Sequence, residues 1–283
     1  MLFSILITNY NNGKFFKYCY DSVISQTYTN WEVVIVDDCS TDDSVAVINA
    51  LIKDDQRFKF VENEANKGCG FTKHRCAQLS TGVVSGFLDP DDALMPDAVA
   101  LMMAAHHQNT AVALVHATFY FCDELLNMAE VYAVPGPVEV DARFTNLEAK
   151  VNHFSTFKNE LYNKTGGINP QLLRAVDQDL YLKLSEQGPF YFINKPLYKY
   201  RIHKTGIATA NTDKAFYWFL KVIANAEERR GVNLEHEVAN YLNRTDPKNM
   251  ERNLANPRYL LLKFLKAFKA TPMAFMKKLF FNK

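Results

Sequence analysis

Residues 83–92 read VVSGFLDPDD, a short apolar run that breaks into three carboxylates, Asp89, Asp91 and Asp92. An apolar stretch of this length, closed by a Pro-containing acidic turn, predicts a buried strand over Val83–Leu88. Two upstream segments have the same form. Leu2–Thr8 (LFSILIT) runs into Asn9-Tyr10-Asn11-Asn12-Gly13, and Trp31–Val36 (WEVVIV) runs into Asp37-Asp38-Cys39-Ser40-Thr41-Asp42. A fourth strand is expected at Phe58–Glu62. Between the strands the periodicity changes: Phe16, Cys19, Val23 and Ile24 recur at helical spacing, and helices are predicted up to Ile52, from Asn66-Lys67-Gly68 to Ser80, and near Pro96–Gln108. Strands that are apolar on both faces and alternate with helices form a mainly parallel, doubly wound α/β sheet flanked by helices. Ligands of such sheets bind beyond the carboxyl ends of the strands, so the loops at Thr8–Asn12, Asp37–Asp42 and Asp89–Asp92 should share one cleft.

The acidity of that cleft is its main chemical signal. Carboxylates packed at this density repel one another, and a hard divalent ion held by one or two of them and by a substrate phosphate relieves the repulsion. Acidic turns are also ordinary helix caps, so spacing alone leaves both readings open. No Gly-rich phosphate loop of the GxGxxG or Walker type is present, which excludes the common dehydrogenase and P-loop arrangements.

The chain has 283 residues, 48% of them hydrophobic, and 32 basic against 31 acidic side chains, for a net charge of +1. Such a composition forms a core, and the charge balance argues against a nucleic-acid partner. Five cysteines (19, 39, 69, 76 and 122) form no metal or dithiol pair, as expected of a reducing compartment. The N-terminal run has neither a basic flank nor a cleavage site and reads as a strand; no apolar stretch reaches membrane-spanning length.

The runs SILITNYNNGKFFKYCYDSVISQTYTNWEVVIVDDCSTDDS and NKGCGFTKHRCAQLSTGVVSGFLDPDD resemble the nucleotide-sugar-dependent glycosyltransferases of family 2, which have the GT-A fold. Further on, HFSTFKNELYNKTGGINP, AVDQDLYLKL and YKYRIH are similar to that family's later motifs, in its order, so the likeness covers about residues 2–206. The resemblance implies that Thr8, Tyr10 and Asp38 lie around the nucleotide, and that Arg75 or Lys73 reaches the diphosphate. It makes Asp89-Pro90-Asp91 the Asp-any-Asp motif, with Asp91 as the direct ligand of Mn2+ or Mg2+ and Asp89 or Asp92 assisting on ribose or metal. It makes Asp177 the general base that deprotonates an acceptor hydroxyl, with inversion. The family usually has Glu before this Asp where Val176 stands here, and Asp179 is the competing candidate; Asp177 is also a natural N-cap. Arg201 is expected at the diphosphate and His203 at the metal or in the active-site wall.

Residues 211–283 depart from this pattern and are expected to form a C-terminal helical extension to a catalytic domain over 1–210. Residues 256–283 carry seven basic and no acidic residues, whereas residues 1–255 hold 25 basic and 31 acidic ones. Leu261, Phe264, Leu265 and Phe268 fall on one helical face and Lys263, Lys266 and Lys269 opposite. This segment either lies on an anionic membrane surface or packs on the domain. The expectation is an inverting transferase in the cytoplasm, peripheral to the inner face of the cell membrane. It takes a sugar from a nucleotide sugar, expected to be a UDP-sugar, to a glycan or glycolipid acceptor of the lipo-oligosaccharide, capsule or O-antigen type. The Gln-x-x-Arg-Trp motif and membrane helices of processive members are absent, which favours one sugar per encounter. A nucleotidyltransferase would need a Gly-rich basic N-terminal loop, and a vestigial binding module would not keep Asp38, Asp91 and Asp177 together.

Overall fold

Continuous apolar strands and amphipathic helices produce a three-layer arrangement in which one sheet separates two cores. The computed structural model describes residues 1–133, 136–203 and 212–245. The tail at 256–283 and the segment at 204–211 lie outside the described residues. In chain order the first half holds β1 (Phe3–Asn9), α1 (Gly13–Ile24), β2 (Trp31–Asp37), α2 (Ser44–Ile52), β3 (Phe58–Glu62), α3 (Cys69–Leu79), β4 (Val84–Phe87), β5 (Ala93–Leu94) and α4 (Ala98–Gln108). The second half holds β6 (Leu114–Cys122), β7 (Met128–Val131), β8 (Ser155–Lys158), α5 (Asn159–Lys164), α6 (Val176–Ser185), β9 (Phe190–Arg201), α7 (Thr212–Arg230) and α8 (Glu235–Thr245).

The sheet runs β3-β2-β1-β4-β8-β6-β9-β5, with β7 paired to β6. The expected parallel block is β3-β2-β1-β4. Beyond it the sheet is mixed: β8 pairs antiparallel with both β4 and β6, while β6 and β9 are parallel. Alternation across each strand sorts side chains into two layers. Phe3, Ile5 and Ile7 of β1 pack with Phe16, Cys19 and Val23 of α1, Ile48 of α2 and Met102 of α4. Leu6, Val34 and Val36 face the other way, onto Cys76 of α3 and Leu180 and Leu184 of α6. Each such fully buried side chain contributes roughly 1.5–3 kcal/mol. Ile24, expected on the buried stripe of α1, is 40% exposed at the helix end.

The helices after residue 211 share this second core. Leu220, Ile223 and Ala226 of α7 and Val238 of α8 are buried in it, and Arg230 donates to Leu182 O and Phe144 O. All five cysteines are free. Among the described residues no helix is long and apolar enough to cross a membrane.

Candidate active site

The carboxyl ends of β1, β2 and β4 open onto one cleft, as the parallel register requires, and each strand end carries polar side chains into it. Asn9 and Asp37 sit opposite each other at the ends of β1 and β2. Asp37 is fully buried and accepts hydrogen bonds from Asn9 Nδ2 (2.7 Å), Ser40 N (2.7 Å) and Ser40 Oγ (2.6 Å), so it locks two loops together. Asp38 pins a third. It accepts from Asn63 Nδ2 (2.7 Å), Lys67 N (2.9 Å) and Gly68 N (2.8 Å), and Gly68 makes that turn at φ +86°. Thr8 lies half-buried on β1, and the Tyr10 ring is 45% exposed at the cleft mouth. Arg75 donates to Glu62 O and Asn63 Oδ1, so it braces Asp38 through Asn63. Asn63 escaped the sequence reading, although its place directly after β3 is a strand end under the same rule.

Around the acidic turn the three carboxylates have separate surroundings. Asp92 is 2% exposed and accepts from Tyr198 OH (2.8 Å) and Arg201 N (2.7 Å). The Arg201 guanidinium donates to Asp91 O and Glu124 O and lies over the Phe15 and Tyr18 rings, at 4.5 and 4.7 Å. Asp92 and Arg201 therefore shape the turn from within the scaffold. Asp91 Oδ2 is 2.8 Å from His203 Nε2, and His203 is buried with its ring edge-on to Phe15. Burial and the neighbouring Asp89 raise the Asp91 carboxyl, against the pull of His203. Asp89 is partly exposed, 3.9 Å from Lys73 Nζ and 4.0 Å from His153 Nε2.

Asp177 enters from the opposite wall. Ala175, at φ 55°, takes a left-handed turn that costs a non-glycine residue about 1–2 kcal/mol and starts α6. The first turn of α6 then aims Asp177 at α3, where Lys73 Nζ lies 2.6 Å away. Lys73 is 3% exposed and its ammonium also sits 4.9 Å over the Phe87 ring. Burial alone would raise the Asp177 carboxyl; Lys73, and then His153, outweigh it and hold the group below its ordinary range. Asp179 is turned away. It is 1% exposed and bonded to Lys183 Nζ at 2.6 Å and Asn169 N at 3.4 Å, so it ties α6 to the preceding loop.

Among the described residues no group of three or more His, Cys, Asp or Glu is placed to hold a metal. Asp91 and His203 supply two donors, and Asp91 is a half-buried carboxylate raised by that burial and by Asp89. This fits a divalent ion that takes its remaining ligands from water and a diphosphate, as Mg2+ does in phosphate sites.

A family model described as Glycosyl transferase family 2 matches residues 4–166. The chondroitin synthase of Escherichia coli is 33% identical over 231 residues, covering 82% of this chain and 33% of that protein. The chain thus spans about a third of that relative's length. TarS 1–349 of S. aureus, solved in complex with UDP-GlcNAc, superposes with a TM-score of 0.73 at 18% identity, over 93% of this chain and 79% of that one. The mannosyltransferase PcManGT of Pyrobaculum calidifontis, solved with GDP-Man and Mn2+, superposes at 0.61 and 15% identity, over 95% and 80%. These two likenesses establish a GT-A fold.

Proposed function

The chain belongs to glycosyl transferase family 2, and from that premise we propose that it moves one sugar from a UDP-sugar to a hydroxyl of a cell-surface glycan precursor, with inversion. The observation that carries this reading is Lys73 Nζ, 2.6 Å from Asp177 Oδ1 and 3.9 Å from Asp89 Oδ1, which brings Asp177 to the acidic turn that also holds Asp91 with its partner His203. A carboxylate kept ionised by its ion pair can accept a proton, and the acidic turn suits a charged leaving group escorted by a cation. The UDP-GlcNAc complex of TarS supports a nucleotide-sugar donor, and the Mn2+ complex of PcManGT supports a divalent ion.

In this account Thr8, Tyr10 and Asp38 surround the nucleoside. Asp38, held rigid by Asn63 and the 67–68 backbone, offers the acceptor oxygen, and Arg75 keeps Asn63 in place. Asp89 faces the ribose and diphosphate. Asp91 and His203 would hold Mn2+ or Mg2+, backed by Asp92 and Arg201; when bound, the ion neutralises charge on the departing diphosphate. Asp177 takes the proton of the acceptor hydroxyl as its oxygen bonds to the anomeric carbon, and the bond from that carbon to the diphosphate breaks. Lys73 keeps Asp177 ionised until that moment. Residues 256–283 attach the protein to the inner face of the membrane, where a lipid-linked acceptor is presented.

The test is calorimetric titration of UDP with and without Mn2+, alongside a transfer screen over nucleotide sugars. The wild type should bind UDP more tightly with the ion and release UDP from one donor. Asp91→Ala should lose the ion-dependent part of binding. Equal ion dependence in Asp91→Ala and wild type overturns the metal assignment; no binding of any nucleotide sugar overturns the function.

A further inference from the structure

Five aromatic rings form a wall that starts at Asp89 and that the chemistry above does not use. Phe119 of β6 is its centre, 5% exposed. Tyr132 stacks on it at 4.7 Å and 12°, Phe121 meets it edge-on at 5.0 Å, Tyr200 lies at 5.7 Å and His153 at 6.4 Å. The outer rings also touch one another: His153 with Tyr200 at 5.9 Å, Tyr200 with Phe121 at 6.1 Å, and Phe121 with Tyr132 at 5.8 Å. His153 is further held by stacking on Tyr198 at 5.0 Å and 16°.

These outer four rings are half-buried, each with one side packed and part of its surface open. A purely structural cluster would close over them, as the core closes over Phe3 and Phe154. At the inner end His153 Nε2 stands 4.0 Å from Asp89 Oδ2, beyond hydrogen-bond reach, and His153 also acts electrostatically on Asp177. The wall therefore leads from the surface to the gap between Asp89 and Asp177. Small-molecule sites are lined mainly by aromatic and apolar side chains with a few placed polar groups, and flat rings with little conformational freedom suit the C–H face of a pyranose.

We propose that this wall is the platform for the acceptor sugar. A pyranose of an oligosaccharide acceptor lies on Tyr132, Phe121 and Tyr200, and His153 binds a hydroxyl next to the one that Asp177 deprotonates. This rests on the transferase reading, and the test separates the two. Retention of oligosaccharides on a glycan array is measured in the presence of UDP and Mn2+, and donor hydrolysis to UDP is measured without acceptor. Wild type and Tyr132→Trp should retain the same oligosaccharides. Tyr132→Leu, which keeps apolar volume but loses the flat ring, should retain them about tenfold more weakly, as should His153→Ala. The Michaelis constant for the donor should not move in the two Tyr132 variants, a split that a merely structural role would not give. Retention by Tyr132→Leu equal to wild type overturns the platform, as does a wild type that hydrolyses donor yet retains no oligosaccharide. A wild type that neither binds nor hydrolyses any UDP-sugar overturns the transferase reading and the platform together.

Discussion

Replacing Asp177 by Asn removes the proton acceptor while leaving its shape. The amide oxygen can still accept from Lys73 Nζ, now 2.6 Å from the carboxylate, so the first turn of α6 stays in place. The lost ion pair has one partner 4% and the other 36% exposed. That places its cost between the exposed and buried limits, about 2 kcal/mol, or roughly 4–8 °C in Tm for a domain of this size. Catalysis should suffer far more: a general base contributes about 10²–10⁴-fold, or about 3–5 kcal/mol of barrier at 1.36 kcal/mol per decade. The companion variant Asp179→Asn should behave in the opposite way. Its pair with Lys183 is 2% and 11% exposed, so breaking it costs about 3–5 kcal/mol of stability while kcat per folded molecule stays near wild type. Single-turnover transfer, UDP titration and thermal melts on both variants give the answer. If Asp177→Asn keeps kcat within tenfold of wild type, or Asp179→Asn loses a hundredfold with an unchanged Tm, the assignment of the base is wrong.

Three further outcomes follow from the same geometry. A Cβ on Gly70 would meet Leu172 O at 2.4 Å and Asn169 O at 2.7 Å. Gly70→Ala must therefore displace the turn that leads to Asp177, and kcat should fall about a hundredfold, the cost of roughly 1 Å of misplacement, with UDP affinity preserved; wild-type kcat would contradict this. Glu32 accepts from Ser4 Oγ, Thr81 N and Oγ1, and Gly82 N, bonds that outweigh burial and hold it below its ordinary value of 4.5. A lowered folded value means that its stabilisation is complete above pH 4.5 and lost as pH falls through the folded value, so the Tm gap between wild type and Glu32→Gln should close below pH 4.5. A gap that stays constant with pH would refute this. The 283-residue chain should co-sediment with anionic liposomes at low salt and a chain ending at Asn256 should not; equal sedimentation contradicts a membrane role for residues 256–283.

Much of the first half was legible because its physics is local. Phe58–Glu62 matches β3, and Leu2–Thr8, Trp31–Val36 and Val83–Leu88 fall within one or two residues of β1, β2 and β4. Runs apolar on both faces leave few arrangements other than a covered parallel block, and that block fixes which loops meet. The second half depends on pairing between distant segments. β8 has only four residues, and nothing in STFK says that it enters between β4 and β6. β9 is twelve residues long, but its register against β6 jumps from Ile193 to Pro196, where proline offers no N–H, and the periodic signal is interrupted there. At the site, the resemblance named Asp177, but the partner that keeps it ionised lies 104 residues earlier on α3. Lys73 was legible only as one of two candidates for the diphosphate. The aromatic wall was invisible in the sequence for the same reason, since its rings come from β6, β9 and the irregular segments around 132 and 153.

Following the anomeric carbon tests sugar transfer with inversion by Asp177. Purified protein with Mn2+ and an α-configured UDP-sugar labelled with 13C at that carbon is incubated with a glycan extract of the cell envelope, and the product is read by NMR. The product should be β-linked, with one UDP released per linkage formed, and Asp177→Asn should give neither. An α-linked product, or release of the sugar as its 1-phosphate with the nucleotide left behind, would contradict it.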